Sequence, residues 1–236
     1  MSVLRHRLQA YVRPSGFDPD SISGLFAWFD ADDASTFTYS SGVIVSQWND
    51  KSGNGYHISQ GTVANQPTRD GTQNGRTTVQ FLDATHWMTN TTGLTPATIS
   101  AFVVLRRRGV TVANVYWFTS TEGRFGFECN TATKIERVNQ AALMTANTSI
   151  ETTQYHLITA YASASATSVR LDGVDDGSGS GSGMTASNAG FGVGGKTNGD
   201  FPADAMIAEL LVYDSNLSTT DRDSVEEYLQ SKWGTP

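Results

Sequence analysis

The stretch IAELLVYD at residues 207–214, followed by LSTTDRDSVEEYLQSKW at residues 217–233, decides the fold of this chain. The first stretch alternates as side chains do across a pleated strand. On that alternation, one face of the strand holds Ile207, Glu209, Leu211 and Tyr213, and the other holds Ala208, Leu210 and Val212. Because both faces are mainly apolar, we expect the strand to be covered on both sides.

The second stretch predicts an amphipathic helix that carries its own start and stop signals. Ser218 lies where an N-cap hydroxyl can accept from the free amides of the first turn, and the carboxylates of Asp221 and Asp223 favour the positive end of the helix. Gly234 follows as a stop signal. The apolar face recurs at four-residue spacing and consists of Val225, Leu229 and Trp233.

The rest of the chain predicts short strands joined by tight turns. A chain of 236 residues can bury roughly 70% of its unfolded surface in one core. Only 17% of the residues are charged, and no segment has the strand–helix–strand alternation of a parallel sheet. Turn signals recur at Ser52–Gly55, Asn74–Gly75, Asp172–Gly173 and Asn198–Gly199. We therefore predict a sandwich of two antiparallel sheets.

Several segments, in this order and spacing, resemble the laminin-G-like branch of the concanavalin A-like lectin/glucanase superfamily. They are LFAWFDADD (25–33), VSQWNDKSGNGYH (45–57), NGRTTVQFL (74–82), YHLITAYASASATSVRLDGV (155–174), FGVGG (191–195) and the closing strand and helix. The resemblance implies an all-β fold, a jelly-roll sandwich of two antiparallel sheets with a short C-terminal α-helix. We expect this sandwich over residues 22–236, after a basic arm at residues 1–21.

Charge and cysteine content narrow the setting of the protein. The net charge of −7 argues against nucleic acid as a partner. The single cysteine, Cys129, cannot form an internal disulfide, so no oxidising compartment is required. The N-terminus carries Arg5, His6 and Arg7 where a signal peptide needs an apolar core, and no run has the roughly 20 apolar residues of a membrane helix. We expect a protein that folds in the cytosol, without membrane insertion, and either stays there or leaves by a route other than secretion.

The first residues differ from the rest of the chain. Residues 1–13 contain Arg5, Arg7 and Arg13 and no acidic residue, and Pro14, Gly16 and Pro19 separate them from the sandwich. One interpretation is a terminal extension that frays or packs on the domain. The other is a docking arm whose arginines bind an acidic neighbour in a larger assembly.

Two glycine-rich motifs are candidate ligand sites. The segment GFGVGGKT (190–197) satisfies the P-loop pattern, but turn residues follow it where a phosphate-binding helix is needed, which argues against nucleotide binding. Asp50, Ser52 and Asn54 have the spacing that opens an EF-hand calcium loop, whereas position 61, where the loop needs a glutamate, is Gly61. A calcium site at these three residues and an Asx-type turn built by Asp50 both stay open. No other cofactor is expected.

Hydrolase chemistry has little support in the sequence. The glucanases of the superfamily carry a Glu-x-Asp-x-x-Glu run that places two carboxylates on one face of a strand, and this chain has no such run. Glu209 stands alone in its strand, and the four histidines lack the spacing of a metal site. We therefore predict a protein that is not an enzyme.

Sugar-binding sandwiches stack exposed aromatic rings on sugars and bind the hydroxyl groups through amides and carboxylates. The aromatic candidates are Trp87 with His86 and Asp83, Tyr56 with His57 and Asn54, and Trp117 with Tyr116. For each ring, the alternative is an ordinary place in the core.

The resemblance also suggests a setting, because sandwiches of this kind are frequent in phage tails, fibres and head decorations. We predict a non-enzymatic virion structural protein that docks on other virion proteins through its N-terminal arm and presents its sandwich for assembly or for adhesion to host-surface glycans. Assembly into a homo-oligomer is expected from the same resemblance. The alternatives are a stand-alone carbohydrate-binding lectin and, third, a glycan hydrolase.

Overall fold

The computed structural model describes residues 16–82, 85–92, 97–108, 115–120, 126–129, 135–137, 146–148, 150, 153–180, 190–200 and 202–236. Within these residues there are sixteen strands and one α-helix. The strands are β1 (Leu25–Asp30), β2 (Phe37–Ser41), β3 (Ile44–Trp48), β4 (Ile58–Ser59), β5 (Thr68–Gln73), β6 (Arg76–Phe81), β7 (Met88–Asn90), β8 (Ile99–Arg107), β9 (Val115–Ser120), β10 (Gly126–Cys129), β11 (Ile135–Arg137), β12 (His156–Ala162), β13 (Ala166–Leu171), β14 (Val174–Ser180), β15 (Phe191–Val193) and β16 (Ala205–Tyr213). The helix α1 is Thr219–Trp233, and short 3-10 turns cover Pro19–Ser21, Ala34–Thr36 and Val63–Asn65.

The strands form two layers, and every pair among the described residues is antiparallel. One layer has the order β14-β13-β12-β8-β16, and both β6 and β1 pair with the far side of β16. The other layer runs β11-β10-β9-β15-β7-β4-β3, with β2 beside β3. Strand β5 connects the layers through its pairing with β6 and β3. The structure thus confirms the predicted all-β, antiparallel sandwich with a short C-terminal helix.

The core lies between the two layers. The ring of Phe29 in β1 meets Trp48 of β3 at 5.6 Å and Phe191 of β15 at 6.2 Å between centroids. All three side chains are fully buried. We call the face of the first layer that points at this core the inner face, and the opposite face the outer face.

A β-bulge at Ala208 corrects one detail of the predicted strand. Ile207 pairs with Leu105, whereas Glu209 pairs with the neighbouring residue Val104, so one extra residue stands in β16. Because neighbouring residues of β8 point to opposite faces, Ile207 and Glu209 also point to opposite faces. The prediction that they share a face is wrong: Ile207 belongs to the inner face and Glu209 to the outer face. Both faces of β16 are covered, as predicted.

Helix α1 packs on the outer face, over β8 and β12. Its N-cap is Ser218, whose Oγ accepts from the amide of Asp221 at 3.1 Å, and its C-cap is Gly234 in the left-handed conformation with φ of 64°. These ends agree with the predicted caps. Val225, Leu229 and Trp233 are fully buried against the sheet, which confirms the predicted apolar face.

The turn at Asp172–Gly173 joins β13 to β14, and β14 continues through Ser180. By its composition the glycine- and serine-rich segment 177–183 predicts a flexible loop, and for residues 177–180 this prediction is wrong. These residues pair with β13, since small side chains do not prevent the backbone hydrogen bonds of an edge strand.

At the other end of the chain, Phe17 packs on Tyr228 with centroids 5.8 Å apart, and the Tyr213 hydroxyl donates to the carbonyl of Pro19 at 3.0 Å. Arg5, Arg7 and Arg13 lie outside the described residues. The docking arm stays a prediction.

Candidate functional site

The Asp50 loop, predicted as a turn or a calcium site, follows strand β3 and crosses the end of β1. Both carboxylate oxygens of Asp50 are occupied by donors from the protein. Oδ1 accepts from the backbone amides of Trp28 and Ser52, each at 2.9 Å. Oδ2 accepts from the Ser52 hydroxyl at 2.8 Å and from the amide of Tyr56 at 3.1 Å. The arrangement is an Asx-type turn that ties the loop to β1.

The third predicted calcium ligand, Asn54, is also bound to protein atoms. Its Nδ2 donates to the carbonyls of Leu25 and Phe26 at 2.9 and 3.1 Å. Within the described residues, no cluster of three or more His, Cys, Asp or Glu side chains could hold a metal ion. Calcium binding at Asp50, Ser52 and Asn54 remains a prediction, and a cation at Asp50 would have to displace donors that its two oxygens already hold.

The predicted sugar-binding aromatics lie on two separate surfaces. Strand β4 pairs with β7 through Ser59 and Thr89, antiparallel, so Tyr56 and Trp87 lie towards opposite ends of this pair. Tyr56 is half-buried and stacked on Phe26 with centroids 4.0 Å apart.

Trp87 directly precedes β7 and is half-buried against the turn that follows β15. A Cβ added at Gly199 would stand 2.7 to 2.9 Å from three consecutive atoms of the indole six-membered ring, so the glycine backbone lies against the face of that ring. His86 accepts a hydrogen bond from the amide of Leu82 at 3.2 Å. Asp83 and the side chains of Tyr116 and Trp117 lie outside the described residues.

A buried carboxylate that the sequence showed only as a lone glutamate holds helix α1 on the sheet. Glu209 is fully buried, and its two oxygens accept from two indole groups: Oε1 from Trp28 at 2.7 Å and Oε2 from Trp233 at 2.7 Å. The Tyr228 hydroxyl donates to Oε1 at 3.0 Å, and the Lys232 ammonium lies 2.7 Å from Oε2. The group is therefore saturated and structural.

Further ion pairs lie next to this carboxylate. Lys232 also binds Asp30 at 2.9 Å, and Lys51 bridges Asp30 at 3.0 Å and Asp33 at 2.9 Å. Burial raises the pKa of Glu209, against the opposing charge of Lys232. Burial also works against ionisation of Asp30, but the two ammonium groups hold the pKa of Asp30 below its usual range.

A groove that could take a small ligand lies on the outer face, between the start of helix α1 and strands β12 to β14. Its volume is about 230 Å³. The register places Ser100, Tyr161 and Ser168 in one row across β8, β12 and β13, and Thr159 and Arg170 in the next row. These side chains form the floor. The walls are Asn216, Leu217 and Arg222 on the helix side and Asp175 on the β14 side.

The helix-side wall is fixed by a residue of the floor. The Ser100 hydroxyl donates to the carbonyl of Ser215 at 2.8 Å and accepts from the amide of Leu217 at 3.3 Å. The opposite wall is fixed by Arg170, which donates from Nε to Glu226 of α1 at 2.9 Å and also binds Asp175. The groove is therefore held open between two anchored walls.

Tyr161 is the aromatic residue of this groove. It is half-buried, and among the described residues its ring has no aromatic partner and its hydroxyl no hydrogen bond. Thr159 beside it is 4% exposed, and its hydroxyl has no partner among the described residues. A partly open ring beside hydroxyl, amide and carboxylate groups can stack on a sugar and bind its hydroxyls. The groove cannot be identified from the sequence, because its residues come from four distant segments.

A family model with the description "Concanavalin A-like lectin/glucanases superfamily" matches residues 74–221, which is more than half of the chain. The chain belongs to this superfamily. The match extends from β6 to the first turn of α1 and so includes most of the groove of this lectin-like protein. No curated protein matches the chain.

Solved structures share the fold at low sequence identity. A sialidase from Trypanosoma rangeli, in complex with 2,3-difluorosialic acid, superposes with a TM-score of 0.65 and 13% identity, over 95% of this chain and 36% of the sialidase. The chain thus spans about a third of that enzyme. Domain 4 of AbnA, an extracellular arabinanase from Geobacillus stearothermophilus in complex with arabinotriose, gives a TM-score of 0.56 at 17% identity, over 85% of this chain and 97% of the domain.

A third structure is the binding domain of Paraclostridial Mosquitocidal Protein 1, with a TM-score of 0.62 at 11% identity, over 93% of this chain and 56% of that one. At these identities the likeness shows the fold alone.

Within the part of the chain that the structure describes, no helix is long and apolar enough to cross a membrane.

The glycine-rich segment 190–197 does not form a nucleotide site in this fold. Strand β15 within it pairs antiparallel with β7 and β9. A Cβ at Gly192 would stand 2.1 Å from the Gly195 carbonyl oxygen, and one at Gly194 would stand 2.1 Å from the Phe81 ring. Gly194 allows close packing between the two layers, and Gly192 allows the turn after β15 to fold back against the strand.

Proposed function

We propose that this protein binds carbohydrate without cleaving it, and that its saccharide site is the groove between helix α1 and strands β12 to β14. The observation that carries the proposal is the half-buried Tyr161 ring, which has no aromatic partner among the described residues and is set among hydroxyl, amide and carboxylate groups in a cavity of about 230 Å³. Membership of a lectin/glucanase superfamily and the likeness to an arabinanase domain solved with arabinotriose support it.

The charges near the groove support a binding role over a hydrolytic one. A glycosidase needs two carboxyl groups that face a sugar from either side, one of them free to give a proton. Here Glu226 and Asp175 are both bound to Arg170, and Glu209 is saturated by four donors below the helix. Of these three carboxylates only Asp175 lines the groove, so they do not supply the opposed pair that hydrolysis needs.

The test is binding to a panel of arabinotriose, maltotriose, cellotriose, lactose and 3′-sialyllactose, measured by calorimetry, together with an assay for released reducing sugar. We expect dissociation constants in the micromolar to millimolar range for at least one saccharide and no release of sugar. Binding to none of them at millimolar concentration would contradict carbohydrate binding, and cleavage would contradict the non-enzymatic role.

The predicted sites at Trp87 and Tyr56 provide an internal comparison. If the groove is the site, Tyr161→Ala abolishes binding while Trp87→Ala and Tyr56→Ala bind as the wild type does. The reverse result would move the site to the surface predicted from the sequence, with His86, Asp83 and Asn54 as the polar neighbours.

The virion role is a second and separate proposal. The resemblance to sandwiches of phage particles supports it, and so do the arginines of the N-terminal arm, Arg5, Arg7 and Arg13. The expected result is that the protein is found by mass spectrometry in purified particles and that deletion of residues 1–16 leaves the sandwich folded but abolishes incorporation. Unchanged incorporation would remove the docking role of the arm.

A further inference from the structure

We infer that the groove beside helix α1 selects uncharged sugars and rejects acidic ones. The inference rests on the proposed carbohydrate-binding function and adds the class of ligand. It depends on how the two arginines of the groove are paired.

Arg170 is already committed to protein acceptors. Its side chain is 14% exposed, and it donates to both oxygens of Glu226, at 2.9 Å from Nε and 3.2 Å from NH2. It also binds Asp175 and the carbonyl of Gly173. A sugar carboxylate would need a two-donor edge of this guanidinium, and Glu226 occupies the edge formed by Nε and NH2.

Arg222 is paired in a similar way. Its Nε and NH2 donate to Oδ1 of Asp223 at 3.0 and 2.7 Å. Its side chain is 28% exposed, so the guanidinium can reach a ligand in the groove, but with its charge balanced by its neighbour. A neutral hydroxyl can accept from a paired arginine, whereas a carboxylate gains little from it.

The charges in and beside the groove sum to −1. Arg170, Arg222 and Asp175 line it, and Glu226 and Asp223 beside it each pair with one of the two guanidinium groups. An acidic sugar would have to lose its hydration and approach Asp175, whose side chain is 85% exposed. Because both guanidinium groups are already paired with carboxylates, no unpaired cation is left to offset the added charge, which is how a site rejects a wrong ligand.

The groups left open in the groove suit a neutral sugar. Tyr161 offers a ring, Asp175 an exposed carboxylate, and Asn216 and Ser168 an amide and a hydroxyl with no hydrogen bond among the described residues. The buried hydroxyl of Thr159 also has no partner among those residues. A cavity of about 230 Å³ lies below the roughly 300–1,000 Å³ of drug-sized sites and leaves room for one ring.

The test compares lactose with 3′-sialyllactose, which adds one carboxylate to the same disaccharide, alongside the other neutral members of the panel. We expect the wild type to bind neutral saccharides at least tenfold more tightly than 3′-sialyllactose. Asp223→Asn leaves Arg222 unbalanced and should raise the affinity for 3′-sialyllactose at least threefold, a gain that disappears at high salt. Glu227→Gln is the matched control, because Glu227 is exposed on the same helix and its loss changes the net charge equally.

The outcomes separate the two proposals. Equal or tighter binding of 3′-sialyllactose by the wild type, or an equal gain from Glu227→Gln, would overturn the selectivity and leave carbohydrate binding intact. Neutral binding that persists in Tyr161→Ala and is lost in Trp87→Ala would overturn the site. A panel without any bound saccharide would overturn the function itself. Melting curves and the milder Tyr161→Phe variant exclude loss of fold as the cause.

Discussion

The indole N–H of Trp233, the last residue of helix α1, donates to Oε2 of Glu209 at 2.7 Å inside the protein. Trp28 donates to the other oxygen at the same distance, so one carboxylate joins the first strand, the last strand and the C-terminal helix. A buried charge in such a place costs desolvation and is retained only when every lone pair has a donor. This relationship makes the helix part of the sandwich.

Glu209→Gln tests that role. The amide nitrogen must replace one of the two oxygens, and it then faces an indole N–H or the ammonium of Lys232 with no acceptor between them. We expect the free energy of unfolding, measured with urea, to fall by about 3–5 kcal/mol. Glu227→Gln on the exposed side of the helix should change it by about 0.5 kcal/mol or less. Similar losses in the two variants would show that the buried contacts are not responsible.

The loss of folding stability at low pH should depend in part on Asp33. Hydrogen bonds from Ser35 and Lys51 lower the pKa of Asp33 to about 2. Since an unfolded aspartate titrates near about 3.9, this stabilisation is complete above about pH 4 and is lost as the pH falls towards about 2. The urea midpoint of Asp33→Asn should therefore vary less between pH 4 and pH 2 than that of the wild type. Parallel midpoint curves would contradict this assignment.

Substitutions at Gly194 and Gly53 distinguish the cost of backbone strain from the cost of a steric clash in the core. Both have positive φ, at 76° and 84°, but a Cβ at Gly194 would stand 2.1 Å from the Phe81 ring, whereas nothing lies within 4 Å of one at Gly53. Gly53→Ala should cost about 1–2 kcal/mol through strain alone. Gly194→Ala should cost about 1–3 kcal/mol more, because the core must shift. Thermal or urea unfolding of the two variants measures the difference, and equal costs would mean that the contact with Phe81 yields easily.

The effect of calcium on Tm distinguishes the two interpretations of the Asp50 loop, an Asx-type turn and a cation site. Both oxygens of Asp50 already accept two hydrogen bonds each, so a cation would have to displace the amides of Trp28 and Tyr56 or the Ser52 groups. We expect the same Tm in excess calcium chloride and in EDTA, while Asp50→Ala lowers Tm in both. A Tm raised by calcium in the wild type and not in Asp50→Ala would establish the cation site.

Part of the fold could be predicted because its signals are local. The alternation along β16, the N-cap at Ser218, the stop at Gly234 and the turn at Asp172–Gly173 each depend on a few consecutive residues. The role of segment 177–180 was missed because glycine and serine favour loops locally, whereas pairing with β13 is decided by a distant strand.

The site residues also divide into those that local sequence can predict and those that only strand pairing brings together. The Asx-type turn of Asp50 could be weighed from its own segment, since most of its donors lie within six residues. The groove could not be found in this way, because Ser100, Tyr161, Arg170 and Arg222 share it only after strand pairing has brought β8, β12 and β13 side by side.

The sequence by itself determined that this chain forms an antiparallel sandwich closed by a capped helix, because pleat alternation, turn chemistry and capping act between near neighbours. Only the tertiary structure decided that a bulge at Ala208 separates the faces of Ile207 and Glu209, and that Trp28 and Trp233 meet on one carboxylate. Such contacts depend on register and on the docking of the helix, which are set by burial of the whole core and by no single segment.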